Sequence, residues 1–182
     1  IVVLKVGRSE AGRRAALAHT GSLVGSDEIV DAVMRQYGII RVYSLDEMIE
    51  TLALFHARRR PAGSGVGIAV VSGGAAGLIA DLGADVGVEF PSLAPETVEK
   101  MNAVIPEYGT VGNPLDYTGQ AAQQPEILDG CLAAMAEDPN IHVVVYGQAY
   151  PALIDLDQPT GQVLRGLPER YPDKVFVVLS LV

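Results

Sequence analysis

The sequence contains no tryptophan, three phenylalanines and one cysteine among its 182 residues. A single cysteine, Cys131, cannot form a disulfide within the chain, which favours a reducing compartment such as the cytoplasm and a buried, inert thiol. No apolar run reaches the roughly 20 residues that a membrane-spanning helix needs. The net charge of −9 argues against unassisted binding to nucleic acid or to an anionic membrane.

Apolar runs alternate with helix-like segments along the chain. Runs rich in Val, Ile and Leu suit strands that are buried on both faces. Predicted strands cover residues 2–6, 39–42, 66–71, 141–147 and 174–182, and 88–91 is a further extended piece. Predicted helices cover residues 27–37, 45–59, 76–86, 95–103, 125–137 and 158–170. We therefore predict an α/β fold with doubly wound, mostly parallel sheets.

A linker-like stretch, RPAGSG at residues 60–65, divides the chain. We predict an incomplete first domain at residues 1–62 and a second domain at residues 63–182. The chain opens directly on a strand, so we expect it to be part of a longer polypeptide. In parallel sheets ligands bind at the carboxyl ends of the strands, which is where the glycine-rich turns lie.

The first candidate site is the segment GRSEAGRRAALAHTGSLVGSD at residues 7–27. We predict a long loop here, with a short helical turn at 13–18, and His19 in the loop before a helix capped by Ser26 and Asp27. A neutral imidazole can attack a phosphoryl group, and the dianionic product needs donors such as the N–H groups of a helix N-terminus. Acidic side chains at this helix start would discourage a phosphate there. An ordinary loop histidine is the competing interpretation.

The second candidate site is SGGAAG at residues 72–77, a glycine turn between a strand and a helix. Its N–H groups can cradle phosphate or carboxylate, and the helix holds no acidic residue before Asp81. The spacing is neither that of a dinucleotide fingerprint nor that of a P-loop. Glycines that serve only close packing explain the turn equally well.

A third motif, GNPLD at residues 112–116, contains Asn113 and Asp116. Asn-Pro starts a turn, and Asp116 is placed to cap or hydrogen-bond a neighbouring loop. The remaining histidines, His56 and His142, belong to no ligand cluster, and no Cys or His pair has zinc spacing. We predict no metal site.

The stretch from Lys5 to Val42 resembles the NDP-forming acyl-CoA synthetases, relatives of succinyl-CoA synthetase. The residues that carry the resemblance are Lys5, Gly7 to Ser9, Ala15 to Ala18, His19 to Ser22, Gly25 to Asp27, Gly38, and Arg41 with Val42. The strand–GGxxG–helix at 66–82 and the NPxD loop at 113–116 resemble a further domain of the same family. Ala18 departs from the family, where serine usually precedes the histidine.

The resemblance implies two flavodoxin-like units and a phosphohistidine cycle. Acyl-CoA and phosphate give an acyl phosphate and CoA, and the phosphoryl group passes to His19 and then to ADP. His19 would be the nucleophile, Asn113 and Asp116 would belong to a substrate loop, and donors from two helix ends would hold the phosphoryl group. The residues implied in phosphate binding are Thr20, Gly21, Ser22, Gly25, Ser26, Gly73, Gly74, Ala75, Ala76 and Gly77.

The resemblance also implies the partners of the chain. CoA and ATP or ADP with Mg²⁺ would be substrates that bind mainly outside this chain, and no cofactor would be covalently bound. A CoA-binding Rossmann domain, an ATP-grasp domain and a small carboxylic acid would be partners, in a cytoplasmic oligomer.

Two other functions compete with this one. One is a non-catalytic module that senses acyl-CoA or another ligand, fused to an acetyltransferase. The other is a flavodoxin-like ligand-binding domain unrelated to phosphate. Such modules could dispense with the histidine, so His19 in a full HTGS context favours catalysis.

Overall fold

The computed structural model describes residues 1–21, 25–57, 59–107, 109–119, 124–148 and 158–180, and of Thr20 the backbone alone. The chain divides into two compact units, Ile1–Arg58 and Arg59–Val182, called here the first and the second unit. None of the helices in the described ranges is both long enough and apolar enough to cross a lipid bilayer.

The first unit contains a two-stranded parallel sheet and three helices. Its elements are β1 (Val2–Leu4), α1 (Glu10–Thr20), α2 (Asp27–Gln36), β2 (Ile40–Val42) and α3 (Leu45–His56). The strands pair in register, Val2 with Ile40 and Leu4 with Val42. Helix α2 packs on β2, and α3 packs on both strands. Among the described apolar residues of this unit that have a side chain, only Met34 and Val42 are buried, at 7% and 4% exposure.

The second unit contains a four-stranded sheet in which every pair of strands is parallel. Its elements are β3 (Val66–Val70), α4 (Gly73–Asp85), α5 (Pro95–Asn102), β4 (Leu115–Asp116), α6 (Pro125–Glu137), β5 (Val143–Gln148), α7 (Pro159–Arg170) and β6 (Val175–Ser180). The strand order is β4-β3-β5-β6. The predicted α/β class with parallel sheets is therefore confirmed.

The core of the second unit lies between the sheet and α6. This helix is buried along most of its length because apolar and small residues occupy the faces that it turns to the sheet and to α5 and α7. The largest fully buried side chains of the core include Tyr117, Tyr146, Met101, Leu115, Leu128, Leu132 and Met135. Cys131 is fully buried among them, as predicted, and burial raises the pKa of its thiol to about 12.

Three parts of the secondary-structure prediction were wrong. Helix α4 begins at Gly73, three residues before the predicted start at residue 76, because Ser72 caps it directly. Strand β4 was not predicted, since two residues are too few for a periodic signal. The segment 7–27, predicted as a loop with a short helical turn, contains the eleven-residue helix α1.

Candidate active site

Helix α1 carries His19, and its boundaries follow from local hydrogen bonding. Ser9 lies before the first turn in an extended conformation, and its Oγ accepts a hydrogen bond of 3.1 Å from the N–H of Gly12. The strong helix formers of the RRAALA run continue the helix. Gly21 ends it with a φ of 64°, and the N–H of Gly21 donates to the carbonyl of Leu17 at 2.9 Å.

His19 therefore lies in the last turn of a helix rather than in a loop. The signal for this helix in the sequence was the cap residue Ser9 followed by strong helix formers. The glycines on both sides of the segment favoured a loop instead. The side chain of His19 is exposed, so a phosphoryl donor has free access to the imidazole. Because the C-terminal end of a helix carries partial negative charge, α1 cannot itself stabilise a phosphoryl group on His19.

The residues that follow His19 offer fewer donors than the sequence suggested. The N–H of Gly21 donates to the carbonyl of Leu17 and is therefore not available to an anion. Ser22 and the side chain of Thr20 lie outside the described residues. Gly25 has no neighbouring atom within 4 Å of the position where a Cβ would lie. Ser26 precedes α2 without forming a side-chain cap, so the first amides of α2 remain the donors of this segment.

Asp27 at the start of α2 is neutralised by two cations. Lys5 donates to its carboxylate at 3.1 Å, and Arg41 donates to both of its oxygens at 2.7 and 2.8 Å. The hydrogen bond from Arg41, and secondly that from Lys5, holds the pKa of Asp27 below its ordinary value. The charge of Asp27 is therefore largely compensated by Arg41 from β2 and by Lys5, which follows β1. Glu28 is the second acidic residue in the first turn of α2.

Arg41 also connects this network to the start of α1. Its guanidinium lies 5.0 Å from the ring centroid of Tyr43, and the guanidinium of Arg8 lies 5.3 Å from the same centroid. Since Arg8 directly precedes the cap residue Ser9, the contacts of the two arginines with the Tyr43 ring connect the start of α1 to the end of β2. The sequence contained no signal for this contact, which depends on tertiary packing.

In the second unit, the glycine motif forms the first turns of α4. The Oγ of Ser72 accepts a hydrogen bond of 3.4 Å from the N–H of Ala75, and the N–H of Ala76 donates to the carbonyl of Ser72 at 2.9 Å. Gly77 lies one residue further into the helix, where its N–H belongs to the helical ladder. Among the described residues no acceptor contacts the N–H groups of Gly73 and Gly74, so these two can serve an anion.

A carboxylate from a neighbouring strand lies against this helix start. Asp116 ends β4, and a Cβ on Gly73 would lie 3.1 Å from its Oδ2. The other oxygen, Oδ1, accepts a hydrogen bond of 2.9 Å from the N–H of Thr118. The sequence suggested an α4 start free of acidic residues, because Asp116 is distant along the chain and approaches only through the pairing of β4 with β3.

Asn113 lies at the opposite end of β3 and bonds three backbone groups. Its Nδ2 donates to the carbonyls of Val66 and Pro91 at 2.8 and 3.1 Å, and its Oδ1 accepts from the N–H of Ile68 at 3.1 Å. These bonds attach the extended segment before α5 to β3. Asn113 and Asp116, which the sequence grouped as one loop motif, thus lie at different ends of the sheet.

Two buried tyrosines form a polar contact that the sequence did not suggest. The hydroxyls of Tyr117 and Tyr146 are 3.0 Å apart, and the hydroxyl of Tyr146 also donates to Gln148. Tyr117 directly follows Asp116, and Tyr146 lies within β5. Within the described ranges there is no group of three His, Cys, Asp or Glu side chains that could hold a metal ion.

Two family models match the chain. The succinyl-CoA ligase like flavodoxin domain matches residues 1–55, and the ligase-CoA domain matches residues 66–156. An ADP-forming acetate–CoA ligase of Methanocaldococcus jannaschii is 36% identical over 124 residues, which cover 68% of this chain and 18% of that protein. The alpha subunit of an ADP-forming acetate–CoA ligase I of Pyrococcus furiosus is 30% identical over 179 residues, which cover 98% of this chain and 38% of that subunit.

A solved structure resembles the chain over nearly its whole length. The dinucleotide forming acetyl-coenzyme A synthetase 1 of Ca. Korarchaeum cryptofilum, in complex with phosphate and ADP, superposes with a TM-score of 0.83 at 25% identity. The match covers 98% of this chain and 38% of that one. The chain thus spans between 18% and 38% of the length of these relatives.

Proposed function

Since the chain belongs to the NDP-forming acyl-CoA synthetases, the ligase family related to succinyl-CoA ligase, we propose that it carries the phosphohistidine step of such an enzyme. The whole enzyme would interconvert acyl-CoA, ADP and phosphate with a carboxylic acid, ATP and CoA. The observation that carries this proposal is the exposed imidazole of His19, in a chain whose relatives at 30–36% identity are named ADP-forming ligases.

His19 would act as the nucleophile. A neutral imidazole nitrogen attacks the phosphorus of the acyl phosphate, the bond from phosphorus to the acyl oxygen breaks, and the carboxylate leaves. In the next step the terminal phosphate oxygen of ADP attacks, the phosphorus–nitrogen bond breaks, and ATP forms. No oxidant or reductant is needed, and the imidazole returns to its starting state.

The chain would contribute position and charge stabilisation rather than further acid–base groups. Phosphoryl transfer depends chiefly on these two effects. In the first unit the amides at the start of α2 are free of a side-chain cap, and Lys5 and Arg41 neutralise Asp27 beside them. In the second unit Gly73 and Gly74 begin α4 and offer two N–H groups. We propose each helix start as a phosphate-binding element. Thr20, Gly21, Ser22, Gly25 and Ser26 precede the first in the sequence, and Ala75, Ala76 and Gly77 belong to the second.

CoA and the nucleotide would be substrates bound mainly by other domains. A CoA-binding Rossmann domain and an ATP-grasp domain would supply those sites in the same chain or in a partner subunit, and we propose an oligomeric, cytoplasmic enzyme. Mg²⁺ would enter as the counter-ion of the nucleotide. A non-catalytic sensing module fits less well, because the relatives described above are ligases.

The test is phosphorylation of the full-length polypeptide that contains this chain. Incubation with ATP labelled in the γ-phosphate should give a protein-bound phosphate that acid removes and base does not. His19→Ala should abolish the label. His56→Ala is the matched control, because His56 is likewise exposed in the last turn of a helix, and it should leave the label unchanged.

Absence of label in the unmodified protein would favour the sensing module. Label that survives His19→Ala would show that another residue is the nucleophile. The 182-residue chain on its own should show no ligase activity, because it would lack the nucleotide and CoA sites.

A further inference from the structure

We propose that Gln148, oriented by the buried hydroxyls of Tyr146 and Tyr117, donates a hydrogen bond to the acyl oxygen of the acyl phosphate and stabilises the carboxylate as it leaves. This inference rests on the proposed function, in which the second unit receives the phosphoryl group at the start of α4. It adds one substrate-contacting side chain and two positioning residues, and it assigns a place to the acyl part of the substrate.

Gln148 is the last residue of β5 and lies at the carboxyl edge of the sheet. Strand β5 pairs with β3 in register as far as Gly147 with Val70. Gln148 therefore lies opposite Val71, and the next residue of that chain segment, Ser72, caps α4. Because neighbouring strands are only about 4.8 Å apart, a single acyl phosphate can reach both the start of α4 and the side chain of Gln148.

The order of the strands marks the same place as a crevice for a ligand. From β3 the chain passes through α4 and α5 to β4 on one side of β3, whereas β5 lies on the other side and leads through α7 to β6. The connections therefore change direction between β3 and β5. In open parallel sheets, ligands bind at such a point, outside the carboxyl ends of the strands.

Two buried tyrosines fix the orientation of the Gln148 side chain. Tyr146 lies two residues before Gln148, so their side chains are on the same face of β5. The hydroxyl of Tyr146 donates to Oε1 of Gln148. Since a phenol has only one hydrogen to donate, the hydroxyl of Tyr117, 3.0 Å away, donates to that of Tyr146. This chain of hydrogen bonds begins in the core, where the two tyrosines are 0% and 2% exposed, and ends at the edge of the sheet.

The bond from Tyr146 determines which end of the amide is presented to a ligand. Oε1 is occupied by the buried hydroxyl, so the donor end, Nε2, is directed away from the core. Gln148 is half-buried, and among the residues that the structure describes no acceptor contacts Nε2. Two phenylalanines would fill the same space without the desolvation of two hydroxyls. Orientation of the amide is the return for that cost, since a satisfied buried network holds its members rigidly.

A neutral donor suits the acyl oxygen better than it suits a phosphate dianion. The acyl oxygen gains negative charge only as the bond to phosphorus breaks. A fixed amide N–H at this position therefore becomes a stronger hydrogen-bond donor to the departing carboxylate than to the bound substrate. Such a contact accelerates the step rather than merely tightening binding, because it is stronger in the transition state than in the ground state.

The test compares two phosphoryl donors for His19 in the full-length polypeptide that contains this chain. Labelled acetyl phosphate, the probe for the acyl site, presents an acyl oxygen, whereas ATP labelled in the γ-phosphate does not. Gln148→Leu should slow labelling by subsaturating acetyl phosphate about 10- to 100-fold, as expected when a donor to a developing carboxylate is lost. Labelling by ATP should stay within about twofold and shows that the variant is folded.

Gln148→Glu distinguishes substrate contact from a structural role. Glutamate keeps an oxygen that accepts from Tyr146 but replaces the donor by a negative charge, so labelling by acetyl phosphate should fall at least as far as in Gln148→Leu. If Gln148 served only as the acceptor of the tyrosine bond, Gln148→Glu would label at the normal rate. This variant also decides the matter should Gln148→Leu lose labelling by ATP through a disturbed fold.

The positioning role of the tyrosines has its own pair of variants. Tyr146→Phe leaves Gln148 without its buried donor and should slow labelling by acetyl phosphate about three- to tenfold, with labelling by ATP unchanged. Tyr171→Phe is the matched control, because it removes a hydroxyl that donates at 2.8 Å to Glu137, the last residue of α6. It should leave both labelling rates within about twofold.

The outcomes separate this inference from the proposed function. Equal labelling of wild type and Gln148→Leu by acetyl phosphate would overturn the inference and leave the phosphohistidine step standing. So would a slow Gln148→Leu together with a normal Gln148→Glu. A wild type that accepts ATP but not acetyl phosphate would exclude the acyl site and overturn the inference alone. No label from either donor would mean that the proposed function itself is wrong.

Discussion

Arg41 donates to both carboxylate oxygens of Asp27, at 2.7 and 2.8 Å, and so ties β2 to the first residue of α2. Its other terminal nitrogen donates to Asp31 at 3.1 Å, and the side chain of Arg41 is only 8% exposed. Since the described part of the first unit buries few apolar side chains, this polar cluster is a main connection between its sheet and its helices.

Replacing Arg41 by glutamine should therefore lower the Tm of the first unit by several degrees. Asp27 and Asp31, which are partly buried, would each lose one donor, so that Lys5 alone would remain on Asp27 and Arg35 alone on Asp31. Removing one partner from a cluster of partly buried charges is destabilising. Arg35→Gln is the control, because Arg35 also pairs with Asp31 but is 73% exposed, and exposed pairs add little. Thermal unfolding followed by circular dichroism measures both, and equal Tm values for the two variants would contradict the role of burial.

The stability contributed by Asp27 should depend on pH in a defined direction. Its pKa in the folded chain lies below the ordinary 3.8, chiefly through the hydrogen bond from Arg41. The unfolded chain therefore takes up the proton first as the pH falls, and the contribution is complete above about pH 5 and lost towards the lowered folded pKa. The difference in unfolding free energy between wild type and Asp27→Asn should shrink as denaturant titrations move from about pH 6 to about pH 2. A constant difference would rule out this linkage.

Asn113→Ala should destabilise the second unit by roughly 2–4 kcal/mol, because it removes three hydrogen bonds to part-buried backbone groups. Asn140→Ala is the comparison, since its side chain donates a single exposed bond of 3.3 Å to the carbonyl of Ser92. Urea unfolding of both variants measures the difference. If Asn113→Ala is as stable as the wild type, the structural role of Asn113 is contradicted and a role in substrate binding becomes the better explanation of this residue.

Phosphorylation of His19 should loosen the end of α1. A dianion in the last turn opposes the partial negative charge there, by about 0.3–1 kcal/mol. Hydrogen exchange at the N–H of Gly21, which donates to Leu17, should therefore become roughly two- to fivefold faster in the phosphorylated protein. Exchange in α3, which ends at the unmodified His56, gives the internal reference. Slower exchange at Gly21 would mean that other groups hold the phosphoryl group at the helix end.

Cys131 should resist thiol reagents while the chain is folded. The side chain is fully buried, and its pKa of about 12 leaves almost no thiolate at neutral pH. Labelling with a disulfide reagent should proceed only in denaturant, and rapid labelling of the native chain would show that α6 opens locally.

Much of the fold could be predicted because its signals are local. The apolar runs of β3, β5 and β6 and the period of α6 require no knowledge of their neighbours. Helix α1 was missed because Gly7, Gly12 and Gly21 suggested a loop. In the structure Ser9 caps the start of the helix, Gly12 lies inside its first turn, and Gly21 ends it in a left-handed conformation.

The electrostatics of the candidate site could not be predicted in the same way. From the sequence, the start of α4 was expected to bind an anion better than the start of α2, because fewer acidic residues lie near it along the chain. In the structure Lys5 and Arg41 compensate Asp27, and Asp116 comes to Gly73 from another strand. Both effects are contacts between residues distant in sequence, which no local pattern records. The assignment of His19 as the nucleophile remains a prediction from its motif.

The hydrogen bonds that fix Asn113 at the start of β3 also determine which side chain of β4 lies beside the start of α4. Asn113 anchors the start of the segment, and Asp116 follows three positions later at the edge facing α4. Because side chains alternate between the two faces of a strand, one inserted residue would turn Asp116 to the opposite face and bring a different group beside Gly73. The number of residues from Asn113 to Asp116 therefore determines which charge lies beside the first residue of α4.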